Sequence, residues 1–499
     1  MRAAKSVISH ETVQSDTTIT MIILRNSLFV LMLAFIAGVA LSGCKKKALL
    51  TDGGALRFSA DTLLFDTVFT SVGSATYKIK LYNDQDQPVT VSSVRLEKGS
   101  TSPFHLNVNG ISGNEVTQQR LAAHDSMYVY STVTIDPNSD LSPFLVEDKL
   151  IATLNGKDFT VPVVAFGQNA RYVYDTIGTE TWDNRLPYVI LNNPNVTKGS
   201  VLTVEAGTRI YVHPNSRLFI EGSLIINGTK NDSVVFQSDR IDRSYFSYLD
   251  LPGEWGGLYF TSDSKNNRLR WAIIKNGGAS TSLTFSNGTT AYVQPAAIQV
   301  DNNTLVSDPA DGVLIENCSI QNAFGYGLLT FGGKVKMLNS LITTCGSQNI
   351  GVYQGGNVDF SQCTFVNYGS RWVTHSDAPV VSLLNYLDTS NTGFIPGDLK
   401  ARMRNCIIYG SLDDELICNN KNAGITAFDV QIENCLVKAK SYNTAVTFLN
   451  CIFNTDPLFD DTDKWNYRLK DGSPAKNAGM APLYGSNLDD QGPSNIGAY

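Results

Sequence analysis

Hydrophobic residues recur in one short template six times in the second half of the chain. Apolar residues occupy its first and third positions, Asn or Gln follows at the fifth, Cys or Ser at the sixth, and an apolar residue at the eighth. Its copies are residues 313–320, 335–342, 358–365, 401–408, 430–437 and 446–453. The Cys/Ser position recurs after 22, 23, 43, 29 and 16 residues, and we interpret the longest interval as two turns with an insertion. A period near 22 residues is typical of stacked-repeat proteins.

The template predicts two strands separated by a bend. Alternation of apolar and polar residues is the period of a strand with one buried face. Asn interrupts the alternation, because Asn adopts the left-handed backbone conformation at little cost. The Cys and the apolar residue after it then face inward again. Repeated winding of this unit predicts a parallel β-helix of about ten coils, in which equivalent residues lie above one another about 4.8 Å apart.

The same period continues upstream with different residues. Segments 201–208, 218–224, 234–236, 252–258 and 269–274 resemble the opening coils of right-handed parallel β-helix proteins, the pectin-lyase-like family. The resemblance covers about residues 198–455, after a linker and N-cap at 169–197. The end of the chain, from 456 to 499, is similar to the tail that follows such helices, and we expect it to cap the last coil. This family includes hydrolases, lyases, adhesins and inert stalks, so the resemblance implies a fold and leaves the function open.

Residues 55–168 alternate with period two and predict a separate all-β domain. Segments 77–81, 89–91, 127–130 and 159–163 read as strands separated by Asn-, Asp- and Pro-containing turns. About seven short strands fit an immunoglobulin-like β-sandwich. Residues 65–68, 72–74 and 81–83 of this domain resemble domains of the abnormal-spindle type. The resemblance implies a partner-binding module or a spacer, and we favour the spacer.

The N-terminal segment reads as a secretory signal peptide. Residues 1–20 are polar and precede a second methionine, Met21, which we interpret as the true start. Arg25 supplies the positive charge that precedes the apolar run at 28–40. A transmembrane anchor is the alternative, but thirteen residues cover about 20 Å as a helix, short of the roughly 30 Å of membrane hydrocarbon.

The apolar run ends in Leu-Ser-Gly-Cys at residues 41–44, which resembles the lipobox of bacterial lipoproteins of the Bacteroidota type. The resemblance implies removal of residues 1–43, attachment of diacylglycerol to Cys44, and acylation of the freed amine by a chain such as palmitate. Several acyl chains anchor a protein stably, whereas one chain does not. Residues 44–54 would then be a lipidated tether. We expect an outer-membrane location, and the sequence leaves the periplasmic and cell-surface faces open.

Composition narrows the chemistry further. The chain has 499 residues, a formal net charge of −7, 17% charged residues and only 5 His. An acidic protein without a basic block is a poor ligand for nucleic acid, so we predict no nucleic-acid partner. No paired Cys-x-x-Cys spacing indicates zinc, and we predict no cofactor. Calcium at the acidic residues 460–463 is the alternative to a solvated linker.

One long sheet of the β-helix is the expected ligand surface, because substrates lie along such a sheet in pectin-lyase-like enzymes. Its strands are predicted at 257–260, 297–300, 328–331 and 351–354. With the second residue of each strand facing inward, the outward row is Tyr259, Gln299, Thr330 and Tyr353. Glycoside hydrolysis needs two neighbouring carboxylates, and this row has none. Tyr and Gln suit sugar binding instead, so we predict a non-catalytic surface for a polysaccharide or a surface protein.

An insertion offers an enzymatic alternative. In the segment before the fourth template copy, Arg371 is a candidate base, His375 a candidate acid and Trp372 a platform for a sugar ring. A polysaccharide lyase with these residues is therefore the first alternative function. The alternative without a catalytic role is a polar loop whose Trp372 packs on the β-helix. A purely structural stalk is the second alternative function.

Overall fold

A computed structural model of the chain describes residues 27, 29, 32 and 47–498, except 242–250, 285–289, 304–305, 390–392, 422–423, 442 and 481–494. Cys44 and most of the predicted signal peptide lie outside these residues. In the part of the chain described, no helix combines the length and the apolar character needed to cross a membrane.

The N-terminal region consists of two five-stranded sheets, compatible with the predicted β-sandwich. The strands of one sheet, in spatial order, are Arg57–Phe58, Tyr77–Tyr82, Ser126–Val133, Phe104–Val108 and Ile111–Ser112. Those of the other are Leu63–Phe69, Lys157–Gln168, Phe144–Leu154, Val89–Leu96 and Glu115–Leu121. A short 3₁₀ turn occupies Gly99–Thr101. Alternate residues of these strands are buried, as the period-two pattern predicts.

The remainder of the chain winds through three sheets whose described strand pairs are all parallel, which confirms the predicted parallel β-helix. The first sheet contains Arg171–Val173, Tyr188–Ile190, Arg209–Val212, Val234–Ser238, Ala272–Lys275, Ser319–Ala323, Leu341–Cys345, Thr364–Asn367, Ile407–Gly410, Leu436–Val437 and Ile452–Phe453. The second sheet contains Glu180–Trp182, Val201–Glu205, Ser223–Asn227, Asn267–Arg270, Val313–Glu316, Lys334–Leu338, Gly356–Ser361, Leu399–Arg404, Phe428–Glu433 and Val446–Leu449. The third sheet contains Asn195–Val196, Leu218–Ile220, Leu258–Phe260, Ala296–Val300, Tyr326–Phe331, Ile350–Tyr353, Val381–Leu384 and Leu416–Asn419.

Smaller elements are inserted between these strands. Three antiparallel hairpins pair Thr281–Thr284 with Thr290–Val293, Tyr386–Thr389 with Gly393–Pro396, and Phe459–Asp461 with Asn466–Leu469. One helical turn spans Pro309–Gly312, and a 3₁₀ turn spans Thr462–Lys464. The first strands of the β-helix already begin at Arg171, inside the segment expected to be a linker and N-cap.

Equivalent residues of successive coils lie in one column. Val313 pairs with Val335, and Val335 pairs with Val358. The column continues through Ala401 and Val430. All of these side chains are almost completely buried, so the interior of the β-helix is a continuous apolar core.

The bend of each coil lies where the sequence places it. Residue five of the template has a positive φ in all six copies, at Asn317, Asn339, Gln362, Asn405, Asn434 and Asn450. Side chains in this row also bond along the stack, since Asn339 Nδ2 donates to Asn317 Oδ1 at 2.6 Å. The bend residue is therefore chosen both for its backbone conformation and for its amide.

The cysteines of the template point into the core as free thiols. Cys318, Cys363, Cys406 and Cys435 are buried, and Cys451 in the last coil is half-buried. Burial raises the pKa of the Cys318 thiol to about 12, so this thiol stays protonated and unreactive at neutral pH. These residues act as small apolar side chains.

The 43-residue interval of the template is one coil, and our interpretation as two turns was wrong. The strands Gly356–Ser361 and Leu399–Arg404 pair directly, with Val358 opposite Ala401. The additional residues form the loop between Asn367 and Val381 and the hairpin that starts at Tyr386. Sequence spacing alone cannot distinguish an inserted coil from an inserted loop of similar length.

Charged residues on the outer side of the second sheet neutralise one another between coils. Arg404 and Asp359 lie 2.6 Å apart, and Arg402 and Asp429 lie 2.5 Å apart. Stacking like residues on an outer face would place like charges together, and alternation of sign avoids this cost.

The described part of the C-terminal tail packs on the outer side of the first sheet of the β-helix. Phe459, Tyr467 and Ile496 pack on outward residues of the first sheet, including Leu341 and Ile407. Tail atoms also bond to the bend row, because the backbone N–H and C=O of Met480 bond to the Asn405 amide at 2.9 Å. The apolar outward column of the first sheet explains why the tail covers this flank.

We predict that backbone strain and side-chain bonding at the bend row are separable. Asn434 shares the left-handed conformation of Asn405. Among the described residues, however, no hydrogen bond involves the side chain of Asn434. Asn434→Ala should lower the free energy of unfolding by about 1 kcal/mol, and Asn405→Ala by about 3 kcal/mol, because it also breaks bonds to the tail. Urea unfolding measures both. The glycine variants keep the backbone conformation, so Asn434→Gly should be nearly neutral and Asn405→Gly should not. Equal losses in the two alanine variants would contradict this assignment.

Candidate functional site

The outer face of the third sheet carries two rows of outward side chains. The first row runs Asn195, Phe219, Tyr259, Gln299, Leu329, Gly351, Ser382 and Ile417. The second row lies two residues further along each strand and includes Asp301, Phe331 and Tyr353. The four predicted strands of this sheet are all present. The strands of this sheet are therefore those predicted, but the residues that form each outward row differ from the prediction.

The structure corrects the predicted outward row at Thr330. Thr330 pairs with Val300 and Val352 in an inward column, and it is completely buried. Its hydroxyl accepts the backbone N–H of Gly333 at 2.9 Å, so Thr330 is a structural residue. The strand Tyr326–Phe331 contains two consecutive leucines, Leu328 and Leu329. Either leucine suits the core, so the alternation does not reveal which one faces inward.

Tyr259, Gln299 and Asp301 form a hydrogen-bonded cluster on adjacent strands. Asp301 accepts the hydroxyl of Tyr259 and the amide N–H of Gln299, the latter at 3.0 Å. The carboxylate only accepts, so it fixes the Gln299 amide with its nitrogen toward Asp301. Gln299 Oε1 is then directed away, and it is buried without a hydrogen-bond partner. An unpaired buried acceptor costs free energy in the folded protein.

A pair of tyrosines lies beside this cluster. The rings of Tyr326 and Tyr353 are 6.1 Å apart in an edge-to-face arrangement, and their hydroxyl oxygens lie 3.4 Å apart. Gly351 makes room for them, because a Cβ there would lie 2.9 Å from atoms of both rings. Burial, and then the neighbouring Tyr326, raises the pKa of Tyr353. Its hydroxyl therefore remains a donor at neutral pH.

Arg217 is a fully buried cation at the edge of this face. Its Nη2 donates to the backbone carbonyls of Ala279 and Gln294, at 3.0 Å each, and its Nε donates to Thr281 at 3.1 Å. Burial lowers the pKa of Arg217 to about 10, which still leaves it charged at neutral pH. It holds together the two ends of an inserted hairpin.

The proposed enzymatic site on the insertion has a different geometry. The imidazole of His375 is 2% exposed, and its Nε2 lies 3.0 and 3.1 Å from the two carboxylate oxygens of Glu415. Glu415 is itself fully buried and accepts the backbone N–H groups of Leu412 and Val380. This arrangement fastens the loop to the β-helix, and it occupies the imidazole nitrogen that an acid would use.

The other two candidates on the insertion lie at the surface. The Arg371 guanidinium is 4.7 Å from the centre of the Trp372 ring, and Trp372 is 38% exposed. These two residues form a cation–π pair. Arg371 and Trp372 are thus accessible, whereas His375 is not.

Sequence reasoning missed three residues that shape these sites. Asp301 lies two positions after Gln299, so strand alternation alone places it on the same face. Arg217 and Glu415 precede strands of the third sheet, outside the repeated template. Their partners come from inserted segments that show no periodicity, and no sequence signal indicates these contacts.

The two outward rows hold two carboxylates among the described residues, Glu221 and Asp301. None of the described His, Cys, Asp and Glu side chains form a group of three that is able to hold a metal ion. At residues 460–463, where calcium was the alternative to a solvated linker, Asp461 pairs with Lys464 at 2.9 Å and Asp460 accepts a hydrogen bond from Asn466. The face therefore presents hydrogen-bonding and aromatic groups, which suits binding.

Comparison with known proteins gives little further guidance. No protein-family model and no curated protein match the chain. A family 123 glycoside hydrolase from Clostridium perfringens is similar over 23% of this chain and 26% of its own, with 12% identity and a TM-score of 0.17. The E. coli chaperone DraB is similar over 24% of this chain and 57% of its own, with 16% identity and a TM-score of 0.17. This chain covers less than two thirds of either structure, and similarity at this level carries no functional argument.

We predict that the pair of His375 and Glu415 is structural. Glu415→Ala should lower the free energy of unfolding by about 3–5 kcal/mol, because it leaves a buried imidazole and two backbone N–H groups unpaired. Arg371→Ala, at the exposed end of the same loop, should change it by less than about 0.5 kcal/mol. Chemical denaturation measures both. Similar small losses in the two variants would show that the buried pair does not hold the loop.

Proposed function

We propose that the protein is a lipid-anchored lipoprotein of the bacterial outer membrane whose β-helix binds a glycan. The lipobox-like residues 41–44 and the preceding apolar run support the anchor. The N-terminal sheets would act as a spacer between the anchor and the β-helix. The outer face of the third sheet would be the binding surface.

One observation carries the binding proposal: the outer face of the third sheet presents the half-buried rings of Tyr326 and Tyr353 together with a hydrogen-bonded cluster of polar side chains. Sugars offer hydroxyl donors and flat apolar ring faces, so they match both kinds of group. A surface protein is the alternative ligand, but a protein interface would be expected to have a larger apolar centre. Asp301 is committed to hydrogen bonds with Tyr259 and Gln299, which favours a non-catalytic role over hydrolysis.

The anchor predicts a clear change in location. Cys44→Ala should move the protein from the membrane fraction to the soluble fraction, because the variant lacks the thiol that receives diacylglycerol. Fractionation of cells grown with labelled palmitate measures both location and acylation. Cys345→Ala is a matched control, since that cysteine is buried in the β-helix, and its label should be unchanged. Membrane retention with full labelling of Cys44→Ala would contradict the proposed anchor.

The binding face predicts dependence on an aromatic side chain. In affinity gels containing polysaccharide, Tyr353→Ala should weaken retardation of the mature protein about tenfold, through loss of ring contact. Tyr353→Phe should keep most of it, because the ring remains. Tyr128→Ala is the control, as Tyr128 is a 38% exposed tyrosine of the N-terminal sheets.

The same experiment separates the alternative functions. Absence of retardation by every polysaccharide would favour the stalk over binding. Release of unsaturated products from a uronic-acid polymer, lost in Arg371→Ala, would favour the lyase.

A further inference from the structure

The last two coils of the β-helix carry a stacked pair of cysteines. Leu436 pairs with Ile452 in the first sheet, so the residues that precede them, Cys435 and Cys451, lie one above the other. Neighbouring strands place such residues about 4.8 Å apart, inside the Cα separation of about 4.4–6.8 Å that a disulfide spans. Both thiols are free. The pair can therefore exist as two thiols or as one disulfide.

The column of stacked thiols is open to solvent at one end. Cys363, Cys406 and Cys435 follow one another in successive coils, and all three are completely buried. Cys451 is half-buried, because it precedes Ile452–Phe453, the last described strand of the first sheet. A reagent in solution therefore meets this column at Cys451.

The surroundings of Cys451 also favour its thiolate form. A hydrogen bond from the Cys435 side chain lowers the pKa of the Cys451 thiol, although partial burial and the Glu433 carboxylate act in the opposite direction. Cys418 is the other half-buried cysteine of the β-helix. Its thiol lies deeper, and burial raises its pKa to about 12. Since the thiolate is the nucleophile, Cys451 should react with reagents that leave Cys418 unmodified.

We propose that Cys451 is a site of reversible thiol modification and that Cys435 converts the modified form to a disulfide between the last two coils. The reagent is a small disulfide such as oxidised glutathione. The Cys451 thiolate attacks one sulfur of the reagent, the S–S bond of the reagent breaks, and half of it leaves as a thiolate. The Cys435 thiol then loses its proton, its sulfur attacks that of Cys451, and the second half leaves as a thiol. Two cysteines are thereby oxidised, and one external disulfide is reduced to two thiols.

The disulfide would fasten a short strand at the end of the sheet. Ile452–Phe453 has two residues, and its described pairing is with Leu436–Val437 on one side. A covalent bond between Cys435 and Cys451 would hold these coils together where backbone pairing is least extensive. The envelope location proposed above is oxidising, but the inference rests on the geometry of the pair and not on that location.

Alkylation of the folded, detergent-solubilised protein tests the first step. Iodoacetamide at neutral pH, followed by peptide mass mapping, measures the reaction rate at each described cysteine. Cys451 should react at least about tenfold faster than Cys418. Cys435→Ala removes the hydrogen-bond donor, so it should slow alkylation of Cys451 severalfold at neutral pH and less at alkaline pH, where the thiolate forms without the donor. Cys418→Ser is the matched control and should leave the Cys451 rate unchanged.

Incubation with oxidised glutathione tests the second step. In the unaltered protein, mapping without reduction should find two peptides linked through Cys435 and Cys451, and dithiothreitol should release them. Cys435→Ser should instead retain glutathione on Cys451. Cys451→Ser should give neither product. Thermal melting of each variant establishes that it is folded.

Three results would overturn the inference. One is alkylation of Cys451 no faster than that of Cys418. Another is a single rate at all described cysteines, which would indicate that the thiols react through unfolding. The third is glutathione that stays on Cys451 of the unaltered protein without formation of a bond to Cys435.

Discussion

Parallel hydrogen bonding between successive coils is the constraint on which this structure depends. It fixes each strand about 4.8 Å from the next, so that every residue lies between its equivalents in the neighbouring coils. An apolar residue in one coil then needs an apolar residue in the next, as the column from Val313 to Val430 illustrates. The outward rows follow the same rule, and they turn isolated side chains into a continuous surface.

Much of this fold is predictable from the sequence because the constraint is local and repeated. The left-handed bend requires Asn or a similar residue, and Asn317, Asn339 and Asn405 supply it at matching positions. Prediction from the repeated pattern fails where adjacent residues are equally suited to the core or where a loop is inserted. Because two leucines are adjacent, the alternation does not show that Thr330 faces inward. Because the loop between Asn367 and Val381 is long, the spacing does not show how many coils the interval contains.

The candidate sites were less predictable, since their key contacts join the repeat to segments outside it. Gln299 and Tyr259 were recognisable from strand alternation. Their orientation depends on Asp301, which follows the end of the predicted strand at 297–300 and was therefore not assigned to the outward row. Arg217 and Glu415 hold inserted segments through bonds to backbone groups, and such bonds leave no trace in the order of residue types.

The insertions also bear on how chains of this kind can change in length. Both inserted hairpins of the β-helix begin after a strand has ended, at 281 and 386, so the columns on either side remain in register. One extra residue inside a strand would reverse its inner and outer faces, whereas a whole added coil meets the same neighbours as before. Related chains should therefore differ by loops at the corners or by complete coils. Added coils would lengthen the outer face of the third sheet without changing the contacts within it.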